Sequence, residues 1–229
     1  MQCKNHASFT LKKSQSDMLT EPSPVSPPSR KLLEQLSAYQ AWTLEVWSST
    51  GGQAPSNGIE DLIVMACGLP GETGEMLEQN AYMGTCKEDR RELVVEFGDV
   101  LYNWARIIRH FEIDVKDVLE VSDDESFLPA GAARMPISCG LVCEAIKKFV
   151  RNDNLVMTNR RHASLVHGLG LMWQDISQLL TLRSIGLEHV IDVNQSKLRH
   201  RIAKKLTSQA NCQAEETAVY EARLQSMGK

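Results

Sequence analysis

Apolar residues that return at steps of three and four, in one segment after another, constrain this chain more than any other feature of its sequence. From Lys31 the stripe runs through Leu32, Leu36, Tyr39, Trp42 and Val46, with Trp47 beside the last, and stops at Gly51-Gly52. That spacing puts the side chains on one face of an α-helix. A second segment opens at the capping pair Asn57 and Glu60 and runs to about Met83, with a kink or restart expected at Pro70-Gly71. Thr85 and Glu88 offer another capping box. It leads into the clearest stripe of all: Leu93, Phe97, Val100, Leu101, Trp104, Ile107 and Ile108, ending at His110.

After a loop ending near Pro136 the pattern resumes with Leu141, Ala145, Ile146 and Phe149, then Leu165, Leu169, Met172, Trp173, Ile176 and Leu180, then Val190 to Leu206. No run alternates apolar with polar as a strand would. The expected fold is an all-α helical bundle over residues 30–207, made of two tandem units at about 30–122 and 137–207. Residues 1–29, with Pro22, Pro24, Pro27 and Pro28 among serines and threonines, read as a flexible tail, and 208–229 as a peripheral helix or tail.

The net charge of −4 argues against the basic face that phosphate-backbone binding needs, so nucleic acid is not an expected partner. No stretch reaches the roughly 18 to 20 apolar residues of a membrane helix, so a soluble protein with no membrane partner is expected. The six cysteines are scattered without a CxxC pair, and no apolar leader with a cleavage site opens the chain. Free thiols and a cytoplasmic location follow as expectations. Cys139 and Cys143 lie one helical turn apart and, with His162 or His167, could be drawn as zinc ligands; buried structural thiols are the commoner outcome.

Two acidic pairs carry the chemistry. Glu72 and Glu75 are three residues apart, as are Glu96 and Asp99 on the next helix, so each pair projects from one helical face. A short connection makes neighbouring helices antiparallel and can bring both pairs to one level of a bundle. Four hard oxygen ligands so placed suit Mg²⁺, with Mn²⁺ as a substitute. Acids at this spacing often form only a solvated helix face. Against that, they sit among Leu69, Met76, Leu77, Phe97, Val100 and Leu101, and Gly74 and Gly98 interrupt the helices at about 1 kcal/mol each relative to alanine. Close helix approach or room for a ligand would account for those glycines.

The sequence GETGE at Gly71 to Glu75, followed by EFGDVL at Glu96 to Leu101, resembles the ExxE…ExxD signature of the MazG-like and dimeric dUTPase-like all-α pyrophosphohydrolases. The resemblance covers about residues 31 to 205, including a downstream element read as Asn194, Lys197, Leu198 and Arg201. It implies hydrolysis of a (deoxy)nucleoside triphosphate to the monophosphate and pyrophosphate, in nucleotide-pool control. It further implies that Glu72, Glu75, Glu96 and Asp99 hold the metal, with Glu72 or Glu75 also serving catalysis by orienting or deprotonating water. Asn194, Lys197 and Arg201 are the implied substrate contacts, Asn103 is either a further contact or plain surface, and Trp47 is read as a base contact. Trp42, on the apolar stripe, reads as core. Lys87, Arg90 and Arg91 read as a charged first turn, with phosphate steering as the alternative. Base, sugar and oligomeric state stay open, a homo-oligomer among the options.

The second unit can be laid on the first, with Gly140 to Glu144 under GETGE and Met172 to Ile176 under EFGDV; only Glu144 and Asp175 keep their acids. Gly186 to Asn194 then parallels Asp114 to Ser122, but only the later copy continues into Lys197 and Arg201. One active site per chain is the expectation. The alternative function is a catalytically inactive bundle of this type that binds nucleotide or a protein partner.

Overall fold

The computed structural model describes residues 27–49, 58–82, 87–122 and 130–204, and among them it holds seven helices and no strand. They are α1 (Arg30–Ser49), α2 (Ile59–Tyr82), α3 (Lys87–His110), α4 (Val115–Leu119), α5 (Met135–Arg151), α6 (Asn159–Leu182) and α7 (187–204). The all-α expectation is met. The expected tail falls outside the described residues as far as 26, and so do Asn57 and Thr85, the first members of the two expected capping pairs, and everything from 205 onward.

The stripe on α3 is what organises the bundle. Leu93, Phe97, Val100, Leu101, Trp104, Ile107 and Ile108 are all buried, each at about 1.5–3 kcal/mol of favourable transfer. One hydrophobic core joins residues of both halves. Trp104 crosses between them, its ring centroid 5.6 Å from that of Trp173 in a tilted pair, and donates its indole N–H to the Leu169 carbonyl at 3.0 Å. α2 packs on α3, α5 on α6, and α2 on α5.

The restart expected at Pro70 does not occur. α2 runs continuously through it. Proline lacks an N–H, so the carbonyl four residues back has no helical donor. That carbonyl belongs to Ala66, and the Cys143 thiol on α5 donates to it at 3.5 Å. The thiol is pushed far up from the ordinary cysteine range, by its hydrogen bond with Cys139 first and burial second, so it remains S–H. Cys67, Cys139 and Cys143 are free, and Thr73 donates its hydroxyl to the Cys139 sulfur at 3.8 Å.

The turns after α3 and α6 are alike. Glu112 and Ser184 both adopt φ of 53°, and the next residue in each case reaches back five: Ile113 N–H to Ile108 at 3.0 Å, and Ile185 N–H to Leu180 at 2.9 Å. This is the left-handed closure of a helix end. A new helix follows each, but α4 has five residues whereas α7 continues to the limit of the described segment. α4, missed in the sequence, is capped by Asp114, which accepts from Lys116 N–H at 2.8 Å.

Candidate metal centre

α2 ends at Tyr82 and α3 begins at Lys87, so the two packed helices run antiparallel and positions equally far from these two ends come level. Glu72 and Glu75 stand about two to three turns before the end of α2, Glu96 and Asp99 about as far after the start of α3. Glu72, Glu75 and Glu96 each offer a carboxylate oxygen, and these oxygens lie within 4.8 Å of one another. Among the described residues this is the single His, Cys, Asp or Glu group so arranged; the described cysteines form none with His162 or His167.

The trio is electrostatically costly as it stands. Burial raises the Glu72 carboxyl above the ordinary glutamate range, and Asp99, Glu75 and Glu96 add repulsion that Lys197 partly offsets. Glu96 is raised in the same way, by burial first and Asp99 second. Glu96 is half-buried as a whole, yet its Oε2 is fully occluded and has no hydrogen-bond partner among the described residues. Three glutamates so grouped, one of them with an orphaned oxygen, fit a hard divalent cation.

Asp99 stands next to the trio but outside it. Its Oδ1 accepts from the Asn194 amide at 3.1 Å, and its Oδ2 is ion-paired with Lys197. Asn194, expected as a substrate contact, is instead completely buried. Its Oδ1 accepts from the Tyr39 hydroxyl at 2.8 Å, so in this structure it positions Asp99. Tyr39 was legible only as an apolar stripe residue, although a buried tyrosine hydroxyl needs a partner. Burial holds its pKa well up, with Tyr102 and Asp99 adding to the shift, which keeps the donor proton in place.

Asn103 is half-buried in the α2–α3 seam, its amide donating to the Asp99 carbonyl at 3.2 Å and facing Gly68. Arg201 is exposed on α7, one turn beyond Lys197. The Trp47 side chain lies outside the described residues. Trp42 packs on the core, stacks on Tyr39 at 5.7 Å, and has the Arg199 guanidinium 5.8 Å over its ring. Gly98 is a close approach: a Cβ there would fall 2.8 Å from the Asn194 Cβ. Gly74 has open space instead.

Beside the acids, between α3 and α7, lies a cavity of about 760 Å³ that Arg90, Arg91, His189, Asp192 and Lys197 help to line. A smaller one of about 260 Å³ runs from Arg91 and Val95 to Glu96. Sequence reasoning singled out Arg90 and Arg91 but not His189 or Asp192, which no motif marks.

No family, curated protein or solved structure matches this chain. Among the described residues, no helix is long and apolar enough to cross a membrane.

Proposed function

We propose that this chain is a divalent-metal-dependent nucleoside triphosphate pyrophosphohydrolase of MazG-like type, acting in cytoplasmic nucleotide-pool control. The observation that carries the reading is the glutamate trio with its unpartnered Glu96 oxygen. Its all-oxygen donor set suits Mg²⁺, with Mn²⁺ as a substitute. Such an ion, when bound, neutralises phosphate charge and makes water a better nucleophile.

The protein's own groups do the rest. Glu72 and Glu96, already half-buried, exclude bulk water from one side of the site. Glu75 is exposed, so Glu75 or its neighbour Glu72 can orient the attacking water toward the α-phosphorus. Arg91 and Lys197 line the adjoining cavity; its volume is in the usual range for small-ligand sites, roughly 300–1,000 Å³. Their charges complement phosphate that the ion leaves unneutralised. The matched turns after α3 and α6 support the reading of two related units with one active site.

A panel of canonical and modified nucleoside triphosphates with Mg²⁺ or Mn²⁺, its products resolved by chromatography, tests this. Monophosphate and pyrophosphate, lost in Glu75→Gln, are the expected products. Orthophosphate would replace the reading with stepwise dephosphorylation, and nucleotide binding without turnover would favour the inactive bundle.

A further inference from the structure

The fold goes to some length to bring one ammonium group to Asp99. Asn194 and Lys197 are three residues apart on α7 and so share a face. Gly98 lets that face close on α3, since even a methyl group there would fall 2.8 Å from the Asn194 Cβ. Asn194 is locked from behind by Tyr39 on α1 at 2.8 Å. The register of three helices thus fixes Lys197 on Asp99 Oδ2 while Asn194 holds Oδ1 at 3.1 Å. Both partners of the ion pair are largely buried, with side-chain exposures of 19% and 15%.

Two-metal phosphoryl-transfer sites hold their ions about 3.5–4 Å apart between shared carboxylates. Here Asp99 is close enough to repel Glu72 and Glu96, yet it is left out of the trio and given a lysine. We infer that Lys197 is a built-in second cation: the site takes one divalent ion, on Glu72, Glu75 and Glu96, and the Lys197 ammonium stands where a second ion would otherwise sit on Asp99. Its charge already offsets repulsion at both Glu72 and Glu96. This rests on the metal reading of the trio and adds the number of ions to it.

The test counts ions and needs no turnover. Metal-free protein is titrated with Mn²⁺, bound ions are counted by equilibrium dialysis, and the electron paramagnetic resonance spectrum is recorded. Wild type is expected to bind one Mn²⁺ per chain with an uncoupled spectrum, as is Lys197→Arg, which keeps the charge. Lys197→Met and Lys197→Gln remove it and are expected to bind two, with the spin coupling of neighbouring ions. Native circular dichroism decides which neutral variant is scored. Two ions in wild type overturn the inference whether or not any variant folds, and so does a single ion in a folded neutral variant. Zero ions in wild type sinks the metal reading itself, and this inference with it.

Discussion

Where α2 and α3 gather Glu72, Glu75 and Glu96 within 4.8 Å, the positions of α5 and α6 that the tandem reading of the sequence lays under them hold Leu141, Glu144 and Met172, with Asp175 under Asp99. Met172 is fully buried in the core. Glu144 leans out to Lys147 and to Lys148; its hydrogen bonds to those lysines, Lys147 first, draw its carboxyl below the ordinary range. Asp175 is completely buried and fully served, accepting from Arg134 Nε at 2.8 Å, Gly131 N–H at 2.9 Å and the Ser138 hydroxyl at 2.6 Å. The acids of the second pair have each been matched to donors and are structural. Those of the first, apart from Asp99, face one another. A fold keeps a repelling trio of carboxylates only at a cost to its own stability, which argues that the trio serves a ligand.

The largest expected effect is at Asp175. Asp175→Ala strands the buried Arg134 charge and should lower unfolding free energy by about 3–5 kcal/mol in a urea titration. In EDTA, Glu75→Gln should lower it not at all. Equal losses would erase the distinction between the two acid sets.

Metal should separate them next. At a hundredfold excess over its dissociation constant, Mg²⁺ or Mn²⁺ should add about 2.7 kcal/mol, and that gain should vanish in Glu72→Gln with Glu96→Gln. Survival of the gain in the double variant would locate the ion elsewhere.

The two glycines make a smaller contrast. Gly98→Ala should lose about 1–3 kcal/mol through overpacking against Asn194, whereas Gly74→Ala, with nothing in its way, should gain roughly 0.5–1 kcal/mol. A thermal melt of each reads both signs. Loss of turnover in a stabilised Gly74→Ala would mark that open space as ligand room.

The smallest effect is in pH. The folded-state pKa values of Glu72 and Glu96 lie above the ordinary 4.5, so the folded state holds their protons longer than the unfolded one. Their contribution to metal-free stability therefore falls as pH rises from about the ordinary value through the raised ones, and stays reduced above them. Both groups are partly exposed, so the expected drop is well under 1 kcal/mol. Glu72→Gln with Glu96→Gln should flatten it. Metal affinity should rise over the same window, as ligands deprotonate. A drop that persists in the double variant would assign it to other groups.

Helix positions were legible because the α3 stripe and its counterparts leave no other face to bury. The acid pairs were legible because spacing alone sets which side chains share a face. What spacing hides is partner identity. Pro70 looked like a kink or restart because a missing N–H is visible in sequence, while the thiol that covers the freed carbonyl lies 77 residues away. Asn194 carried a substrate role because nothing local told of Tyr39 behind it. Gly98 and Gly74 looked equivalent, and only the approach of α7 distinguishes them.

The most direct measurement is an anomalous difference map from crystals soaked in Mn²⁺. A peak bounded by Glu72, Glu75 and Glu96, with none at Glu144 or Asp175, is the result expected. An empty trio at saturating Mn²⁺, or a peak on the α5–α6 acids, would contradict the assignment of the metal to the first pair of helices.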